Sequence, residues 1–379
     1  MRVLILTAPY GDGHNRAAEA IEEAFAESDY DTAVTVVDYF NAFVSDALVA
    51  ATRKAYINSI SKAPAMYGVF YRSIGALEPD SKLRRTIDSV GRKNFKAYLD
   101  ENPVDVVISL YPIPSGALSQ LKERGLTEAV GVTVVTDYTC HPEWLHSGTD
   151  AYVVGSDAVA EGMAGRGVER GRIHVLGIPV RAAFRKCVSN RSVASCAGPV
   201  RPRLLVMAGA FGTLSGLRDL LEVLRERCES VEVTFVCGRS TTLLRRLEDV
   251  AGKWPAKPRV LGFVQDVASE MVAADLLISK AGGITVSEAL AVGRGVLVFK
   301  PIPGQEAHNA EFLEQLNAGL TASTAKELAA ALDNLLADPE GFRRMAKAAS
   351  RAGKPSAAPD VVRLVTGLAE PRARERCGR

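Results

Sequence analysis

The first side chain that could do acid–base chemistry stands in a glycine turn near the start of the chain. The apolar run at residues 1–8 is followed by Pro9-Tyr10-Gly11-Asp12-Gly13-His14, and a helical pattern begins at about residue 15. Glycines let backbone N–H groups approach a ligand closely, and a histidine at a helix start can accept a proton from a substrate hydroxyl. The turn is neither a full dinucleotide fingerprint, because Arg16 replaces its third glycine, nor a P-loop. A structural role for His14 stays open.

A second cluster of reactive side chains follows the fourth predicted strand. It reads Thr136-Asp137-Tyr138-Thr139-Cys140-His141-Pro142-Glu143-Trp144-Leu145-His146. Asp137 ends a strand on the same side of the sheet as His14, so it could orient the imidazole, and a plain turn role is equally open. Cys140, His141 and His146 lack the spacing and the fourth ligand of a zinc site. No metal site is therefore predicted.

Three further loops follow strands in the second half of the chain. Two are glycine turns that precede helices, Ala208-Gly209-Ala210-Phe211-Gly212-Thr213 and Ser279-Lys280-Ala281-Gly282-Gly283. Backbone donors of two such turns suit a pyrophosphate, and Glu288 on the following helix suits the two hydroxyls of a ribose. The third loop, Pro301-Ile302-Pro303-Gly304-Gln305-Glu306-Ala307-His308-Asn309, carries groups that bind polyols. Glycine-containing loops after strands are common in α/β folds, so each loop alone is weak evidence for a binding site. The order of the three loops together is more specific evidence.

These loops need a framework of strands and helices. Short apolar runs alternate with amphipathic segments, which indicates an α/β fold with parallel sheets. Strands are predicted at 3–7, 33–37, 104–110, 130–135, 151–154, 173–176, 204–207, 231–237, 259–261, 276–279 and 296–299. Helices are predicted at 15–27, 83–99, 115–123, 158–164, 217–227, 243–250, 267–273, 285–292, 309–316 and 360–368.

The pattern divides into two doubly wound halves. Residues 186–202 lose periodicity and gather Ser, Gly, Pro and Arg, which is typical of a linker. We therefore predict an N-terminal domain at 1–185, a linker at 186–202, a second domain at 203–355 and a C-terminal helix and tail at 356–379. Ligands of such sheets bind beyond the carboxyl ends of the strands, so two facing halves would enclose a cleft that holds the site.

Composition excludes several classes of protein. The 379 residues are 47% hydrophobic and 24% charged, which is ordinary globular usage. The formal net charge is +2, so no global field recruits nucleic acid. Six scattered cysteines without a CxxC pair fit reduced thiols in the cytosol better than a secreted disulfide framework. No apolar run reaches the length of a transmembrane helix, so a soluble or membrane-peripheral chain is expected.

Positive charge is concentrated in one region. Residues 51–100 contain ten Lys and Arg residues against four Asp and Glu residues, interleaved with aromatic side chains. Such a mixture suits an anionic membrane surface or a nucleic-acid backbone, and an ordinary solvated helical face is the third possibility.

The chain resembles the inverting two-domain glycosyltransferases of the monogalactosyl- and glucosyl-diacylglycerol synthase group, relatives of the lipid-linked N-acetylglucosaminyltransferase of peptidoglycan synthesis. The resemblance covers about residues 1–350. It rests on GDGHNRAAEAI, TDYTCHPEW, GFVQDVASEMVAAD, SKAGGITVSEALAVG and PIPGQEAHN, in family order. Asp12 and His308 depart from the family pattern, in which more glycine is common at both places.

The resemblance implies a GT-B fold, two Rossmann-like domains, with a UDP-sugar held mainly by the second. Gly282 and Gly283 would face the diphosphate, beside Lys280 as a stabilising cation. The other donor-binding residues are implied to be Gly209 and Gly212 in the neighbouring loop, Phe263 and Val264 at the uracil, Glu288 at the ribose, and Gln305, Glu306 and Asn309 at the hexose and diphosphate. His14 would be the catalytic base, with Asp137 beside it. The acceptor and lipid surface is expected to include Gly13, Tyr67, Phe70, Arg72 and Trp144.

The reaction expected from the resemblance is transfer of a hexose from UDP-glucose or UDP-galactose to 1,2-diacylglycerol, giving a β-glycolipid. Retaining enzymes of this architecture commonly carry a glutamate eight positions before the ribose glutamate, and Lys280 stands there in this chain. Inversion is therefore favoured, with no metal and no further cofactor. The expected location is the inner face of the cell membrane, as a cytoplasmic peripheral protein that binds an anionic membrane surface and no nucleic acid.

Three alternatives stay open. The first is a glycosyltransferase that acts on another lipid or on a natural product. The second is a regulatory protein that binds UDP-sugar with little or no turnover. The third, a nucleotide-dependent oxidoreductase, is disfavoured by Arg16 in the incomplete fingerprint.

Overall fold

The computed structural model describes residues 1–10, 12–62, 64–76, 81–189, 201–209, 212 and 214–377, and side chains at 56–62, 64–65, 67, 70–71, 74, 188–189 and 371–377 lie outside that description. Within it, the chain forms two compact units. The first contains Met1–Ala182 and Ser356–Arg379, and the second contains Ala183–Pro355.

The first unit is built on a six-stranded parallel sheet with the strand order β2-β1-β3-β4-β5-β6. Its strands are β1 (Arg2–Thr7), β2 (Ala33–Asp38), β3 (Val106–Ser109), β4 (Val130–Val134), β5 (Ala151–Val153) and β6 (Ile173–His174). The central strands β3 and β4 are buried at every position, as expected of parallel strands covered on both faces. All six predicted strands of this half are confirmed.

Helices cover this sheet and extend from it. They are α1 (Gly13–Ala26), α2 (Tyr39–Phe43), α3 (Asp46–Lys62), α4 (Pro64–Gly75), α5 (Lys82–Asp88), α6 (Arg92–Glu101), α7 (Pro112–Glu123), α8 (Asp157–Ala164) and α9 (Ala182–Ser189), which crosses the boundary between the units, with short 3-10 turns at Pro142–Trp144 and Arg170–Arg172. The face of α1 that carries Ala17, Ile21 and Phe25 is buried.

The single helix predicted at 83–99 is wrong. The structure has two helices there, α5 and α6, because Gly91 adopts a left-handed conformation with φ = 77°. A Cβ at Gly91 would lie 3.1 Å from atoms of Tyr39 and Val44, so glycine also permits close packing at the break.

The second unit repeats the architecture with the strand order β12-β11-β10-β7-β8-β9. Its strands are β7 (Arg203–Met207), β8 (Glu232–Val236), β9 (Arg259–Leu261), β10 (Leu276–Ser279), β11 (Gly295–Phe299) and β12 (Gly319–Ala322), and its helices are α10 (Leu217–Glu226), α11 (Thr241–Ala251), α12 (Val267–Ala273), α13 (Gly283–Ala291), α14 (Gln305–Gln315), α15 (Ala325–Ala337) and α16 (Pro339–Ala352). Strand β12, which is short and only half buried, was not predicted, and neither were helices α15 and α16.

The last helix, α17 (Ala357–Cys377), is longer than predicted and packs against α1 of the first unit. Its apolar side chains Val361, Val362 and Val365 are buried there. Across the residues that the structure describes, no helix combines the length and the hydropathy needed to cross a bilayer.

Candidate active site

The glycine turn after β1 places His14 in the first turn of α1. Ion pairs stabilise part of the turn: the Arg16 guanidinium lies 3.2 Å from the Asp12 carboxylate and 2.8 Å from the Glu19 carboxylate. Arg16, which breaks the dinucleotide fingerprint, therefore braces the start of α1. Gly13 is half-buried beside His14, and Gly11 lies outside the described residues.

The His14 ring contacts residues that directly follow β3 and β4. Its Nδ1 lies 3.2 Å from Oγ1 of Thr136, and the Tyr111 ring stands edge-on to it at 5.1 Å between centroids. Burial disfavours the imidazolium and lowers the pKa of His14 to about 4, against the opposing effects of the Leu110 backbone and the Glu143 carboxylate. The ring is therefore neutral at physiological pH and able to accept a proton.

Thr136 was missed by the sequence analysis, which singled out its neighbour Asp137. Asp137 is buried at the carboxyl end of the same sheet, and the hydroxyl placed at His14 Nδ1 is that of Thr136. The only signal for Thr136 in the sequence was its position, directly before Asp137 at a strand end.

The side chains expected on an acceptor surface differ in their exposure. Trp144 is 2% exposed and packs in a cluster with Val135, Tyr152 and Met163 inside the first unit, so it offers no surface to a ligand there. Arg72 is exposed near the end of α4. The side chains of Tyr67 and Phe70 lie outside the described residues.

In the second unit, strand order brings three loops together. Strand β10 lies between β7 and β11, so the loops after these strands, which begin at Ala208, Lys280 and Lys300, are neighbours at the carboxyl edge. Gly209 and Gly212 have φ of 69° and 66°, and Ala281 has φ of 64°. A Cβ at Gly212 would clash with Ser240, so this glycine is required by space and by conformation.

Side chains link these loops. Lys280 Nζ lies 3.4 Å from Oε1 of Glu306, whose Oε2 accepts a 2.9 Å hydrogen bond from the Ile302 N–H. Asn309, 0% exposed, donates from Nδ2 to the carbonyl oxygen of Ala281 at 3.0 Å. Burial raises the pKa of Glu306 while the Lys280 ammonium opposes the rise. The loops carrying Lys280 and Glu306 thus form one connected arrangement with a cation inside it.

Open space and a helix N-terminus lie beside that cation. Gly282 precedes the first turn of α13, and a Cβ built on it would meet no atom within 4 Å. Gly283 begins the helix, and Glu288 is buried within it. The free N–H groups of a first helical turn together with a lysine suit a diphosphate.

An exposed aromatic follows β9, at the carboxyl edge of the same sheet. The Phe263 side chain is 50% exposed, next to half-buried Val264, and the Arg239 guanidinium lies 5.1 Å from the Phe263 ring centroid. Arg239 was not found from the sequence, because 24 residues separate it from Phe263. Gln305 is half-buried at the start of α14. Across the described ranges, no cluster of three or more His, Cys, Asp and Glu side chains is arranged to hold a metal ion.

Comparison with known structures shows the fold. MurG of Acinetobacter baumannii superposes with a TM-score of 0.63 at 15% identity, covering 97% of this chain and 99% of MurG. The UDP-GlcNAc 2-epimerase of Neisseria meningitidis, solved bound to UDP-GlcNAc, also gives 0.63, at 12% identity over 97% of this chain and all of that chain. A transferase and an epimerase thus share this fold, the expected GT-B architecture, which therefore does not decide the reaction.

Sequence comparison is more specific. Residues 14–180 match the family model described as monogalactosyldiacylglycerol (MGDG) synthase, and residues 203–361 match the glycosyltransferase family 28 C-terminal domain. A processive diacylglycerol β-glucosyltransferase of Bacillus licheniformis is 31% identical over 350 residues, which is 91% of this chain and 89% of that protein. The two family models and the relative that matches 91% of the chain agree. This chain belongs to the MGDG-synthase family of glycosyltransferases.

Proposed function

We propose that this chain transfers a glucosyl group from UDP-glucose to 1,2-diacylglycerol with inversion and so makes a β-glucolipid. The observation that carries this proposal is the match over nine-tenths of both chains to a relative named a diacylglycerol β-glucosyltransferase. We choose glucose rather than galactose as the transferred sugar because that relative is named a glucosyltransferase. A β product from an α-linked UDP-sugar requires inversion at the anomeric carbon.

The site residues fit a single displacement. The acceptor hydroxyl oxygen attacks the anomeric carbon, the bond from that carbon to the β-phosphate oxygen breaks, and UDP leaves. His14 takes the hydroxyl proton, and the Leu110 backbone and Glu143, which oppose the fall of its pKa, stabilise the imidazolium that forms. Lys280 and the N-terminus of α13 would offset the charge on UDP. These groups supply the stabilisation that a metal would otherwise provide, so the scheme uses none.

The basic region supplies a surface for the lipid side of the reaction. On α4, Met66 is 72% exposed, and Val69 and Arg72 are exposed on the same face at three-residue spacing. Exposed apolar side chains beside a cation suit the boundary between lipid headgroups and acyl chains. We therefore place this face on an anionic membrane, at the cytoplasmic side where UDP-sugars are made.

A transfer assay tests the function directly. The purified chain is incubated with diacylglycerol in anionic vesicles and with radiolabelled UDP-glucose or UDP-galactose in separate reactions, with and without EDTA. Labelled lipid that forms from UDP-glucose, persists in EDTA and is cleaved by a β-glucosidase supports the proposal. Label from UDP-galactose alone would overturn the choice of sugar. UDP binding without any labelled lipid would overturn the acceptor.

The α4 face gives the first testable prediction. Replacing both Met66 and Val69 with serine removes apolar area that enters the membrane, so vesicle binding should weaken by at least about tenfold. The measurement is sedimentation with anionic vesicles. Leu126→Ser, which alters an exposed leucine outside α4, is the control and should bind as the unaltered chain does. Equal binding by all three proteins would contradict docking through α4.

Glu288 gives the second prediction. Hydrogen bonds from two ribose hydroxyls to a buried carboxylate are worth about 1.5–3 kcal/mol, so Glu288→Gln should weaken UDP binding at least tenfold in calorimetry. The control is 2′,3′-dideoxy-UDP, which lacks both hydroxyls and should bind the two proteins equally. An unchanged affinity for UDP would remove Glu288 from the ribose role.

A further inference from the structure

The structure assigns Thr136 as the positioning residue of the proposed catalytic base: its hydroxyl holds the His14 ring in the orientation from which the ring takes the acceptor proton. This inference rests on the proposed function, because it concerns the same proton transfer. Thr136 is buried and contacts the base, so its effect on the reaction acts through His14.

Geometry makes this hydroxyl the polar side-chain contact that fixes the ring. Oγ1 of Thr136 lies 3.2 Å from Nδ1 of His14, and 122 residues separate the two in sequence. The contact therefore exists only because β1 and β4 end at the same edge of the sheet. Thr136 is buried and β-branched, so its χ1 rotamer is restricted and its hydroxyl is held in place.

The Leu110 backbone also hydrogen-bonds the imidazole, so the ring has one polar contact from the main chain and a second, at Nδ1, from the Thr136 side chain. The edge of Tyr111 limits how far the ring can tilt, and it stacks in turn on Tyr10 at 5.6 Å. An aromatic edge sets no direction for a ring nitrogen, whereas a hydrogen bond does. Without the Thr136 hydroxyl the imidazole keeps its pocket and loses the contact at Nδ1. A base that is misplaced by about 1 Å can cost on the order of 100-fold in rate.

The test compares two threonine-to-valine changes, one within β4 and one just after it. Thr136→Val keeps the shape and removes the hydroxyl, and should lower kcat at least tenfold with little change in KM for UDP-glucose. Thr136→Ser should restore kcat to within about threefold, because the hydroxyl is back. The control is Thr133→Val: Thr133 Oγ1 is also buried, but donates to Ser115 at 3.0 Å, away from His14. It should leave kcat unchanged.

A double-variant cycle separates positioning from a general structural role. In a His14→Ala background, Thr136→Val should have no further effect on the residual rate, since the group it orients is gone. An equal loss in both backgrounds, or an equal loss in Thr133→Val, would overturn the inference. Should Thr136→Val fail to fold, Thr136→Ala is the second variant for the same cycle.

A measurement without turnover keeps this inference distinct from the proposed function. In ¹⁵N-histidine-labelled chain, the ring signals of His14 are identified by their loss in His14→Ala, and Thr136→Val should shift them while the other four histidines stay in place. Unshifted His14 signals would overturn the positioning role even in an active enzyme. Shifted signals in a chain without transferase activity would overturn the proposed function and leave the contact standing.

Discussion

Replacing His14 with alanine is expected to reduce glucosyl transfer by about 10²–10⁴-fold and to leave UDP affinity unchanged. The rate and the UDP affinity should respond differently because His14 and the proposed donor-binding residues lie in different units. His14 contacts Thr136 and Tyr111 in the first unit, whereas Lys280, Gly282 and Glu288 belong to the second. Loss of the ring therefore removes a proton acceptor without touching the proposed donor loops.

The pH profile gives the same prediction a second measurement. Since burial lowers the pKa of His14 to about 4, the imidazole is already neutral near pH 5 and stays neutral above it. The limb of kcat/KM that belongs to this base should therefore fall as pH drops through about 4, below the 6.5 of an exposed histidine. His14→Ala should lose this limb.

A half-buried histidine in another place serves as the control. His174 stands in the edge strand β6, and His174→Ala should keep both the rate and the pH profile. If His14→Ala lost UDP binding as much as turnover, His14 would be a structural residue and the proposed base would have to be sought elsewhere.

Most of the framework could be predicted because it depends on local pattern. Apolar runs of four to six residues mark the buried strands, and the glycine turns mark the points where strands give way to helices. The prediction failed where tertiary contacts decide. Gly91 stands at the start of α6, shortly after α5 ends at Asp88, and packs against Tyr39 and Val44, which lie about 50 positions away.

In the candidate site, too, local pattern indicates some residues and tertiary contacts determine others. The glycines, Lys280 and Glu306 were found by type and spacing. Their connection depends on β10 lying between β7 and β11, and strand order is not written in any local pattern. Thr136 and Arg239 were missed for the same reason. Trp144 shows the opposite case: the family resemblance implied a residue of the acceptor surface, and the fold buries its ring.

A buried charge cluster in the first unit also escaped the sequence analysis. Arg84 Nε lies 3.0 Å from Asp88 Oδ2, and both side chains are only 4% exposed. The Arg84 guanidinium also donates to the Glu143 carbonyl oxygen, and His146 Nδ1 lies 3.7 Å from Asp88 Oδ2. The cluster thus ties α5 to the segment that follows Thr136 and Asp137.

The protonation states within the cluster are set by burial. Burial raises the pKa of Asp88 to about 6, against the opposing charge of Arg84. Burial, helped by Arg84, lowers the pKa of His146 to about 3, so that ring is neutral at pH 7. Arg84 is therefore the positive partner of a buried carboxylate at that pH.

Arg84→Leu should consequently destabilise the first unit by about 3–5 kcal/mol at pH 7, because Asp88 loses its cation and must either stay buried as an unpaired charge or take up a proton to fold. Unfolding in urea can be followed by Trp144 fluorescence after Trp254→Phe, since these are the two tryptophans, one in each unit. Arg85→Leu on the same helix is the matched control. It breaks a partly exposed 2.9 Å pair with Glu123 and should cost less than about 1 kcal/mol.

The penalty in Arg84→Leu should also shrink as pH falls toward about 6, because the variant lacks the guanidinium that lowers the pKa of Asp88 and its buried carboxyl therefore takes up a proton at a higher pH than in the unaltered chain. Asp88 has a raised folded-state pKa, so the folded state takes up the proton before the unfolded state does, and acid removes the unpaired charge that makes the variant unstable. Arg84 also lowers the pKa of His146, so its loss lets that imidazole gain a proton beside Asp88 more readily. The double variant Arg84→Leu/Asp88→Leu should recover much of the stability at pH 7, since no buried charge is left alone. A penalty in Arg84→Leu equal to that in Arg85→Leu, or one independent of pH, would mean that water reaches Asp88 and that the cluster does not hold α5 in place.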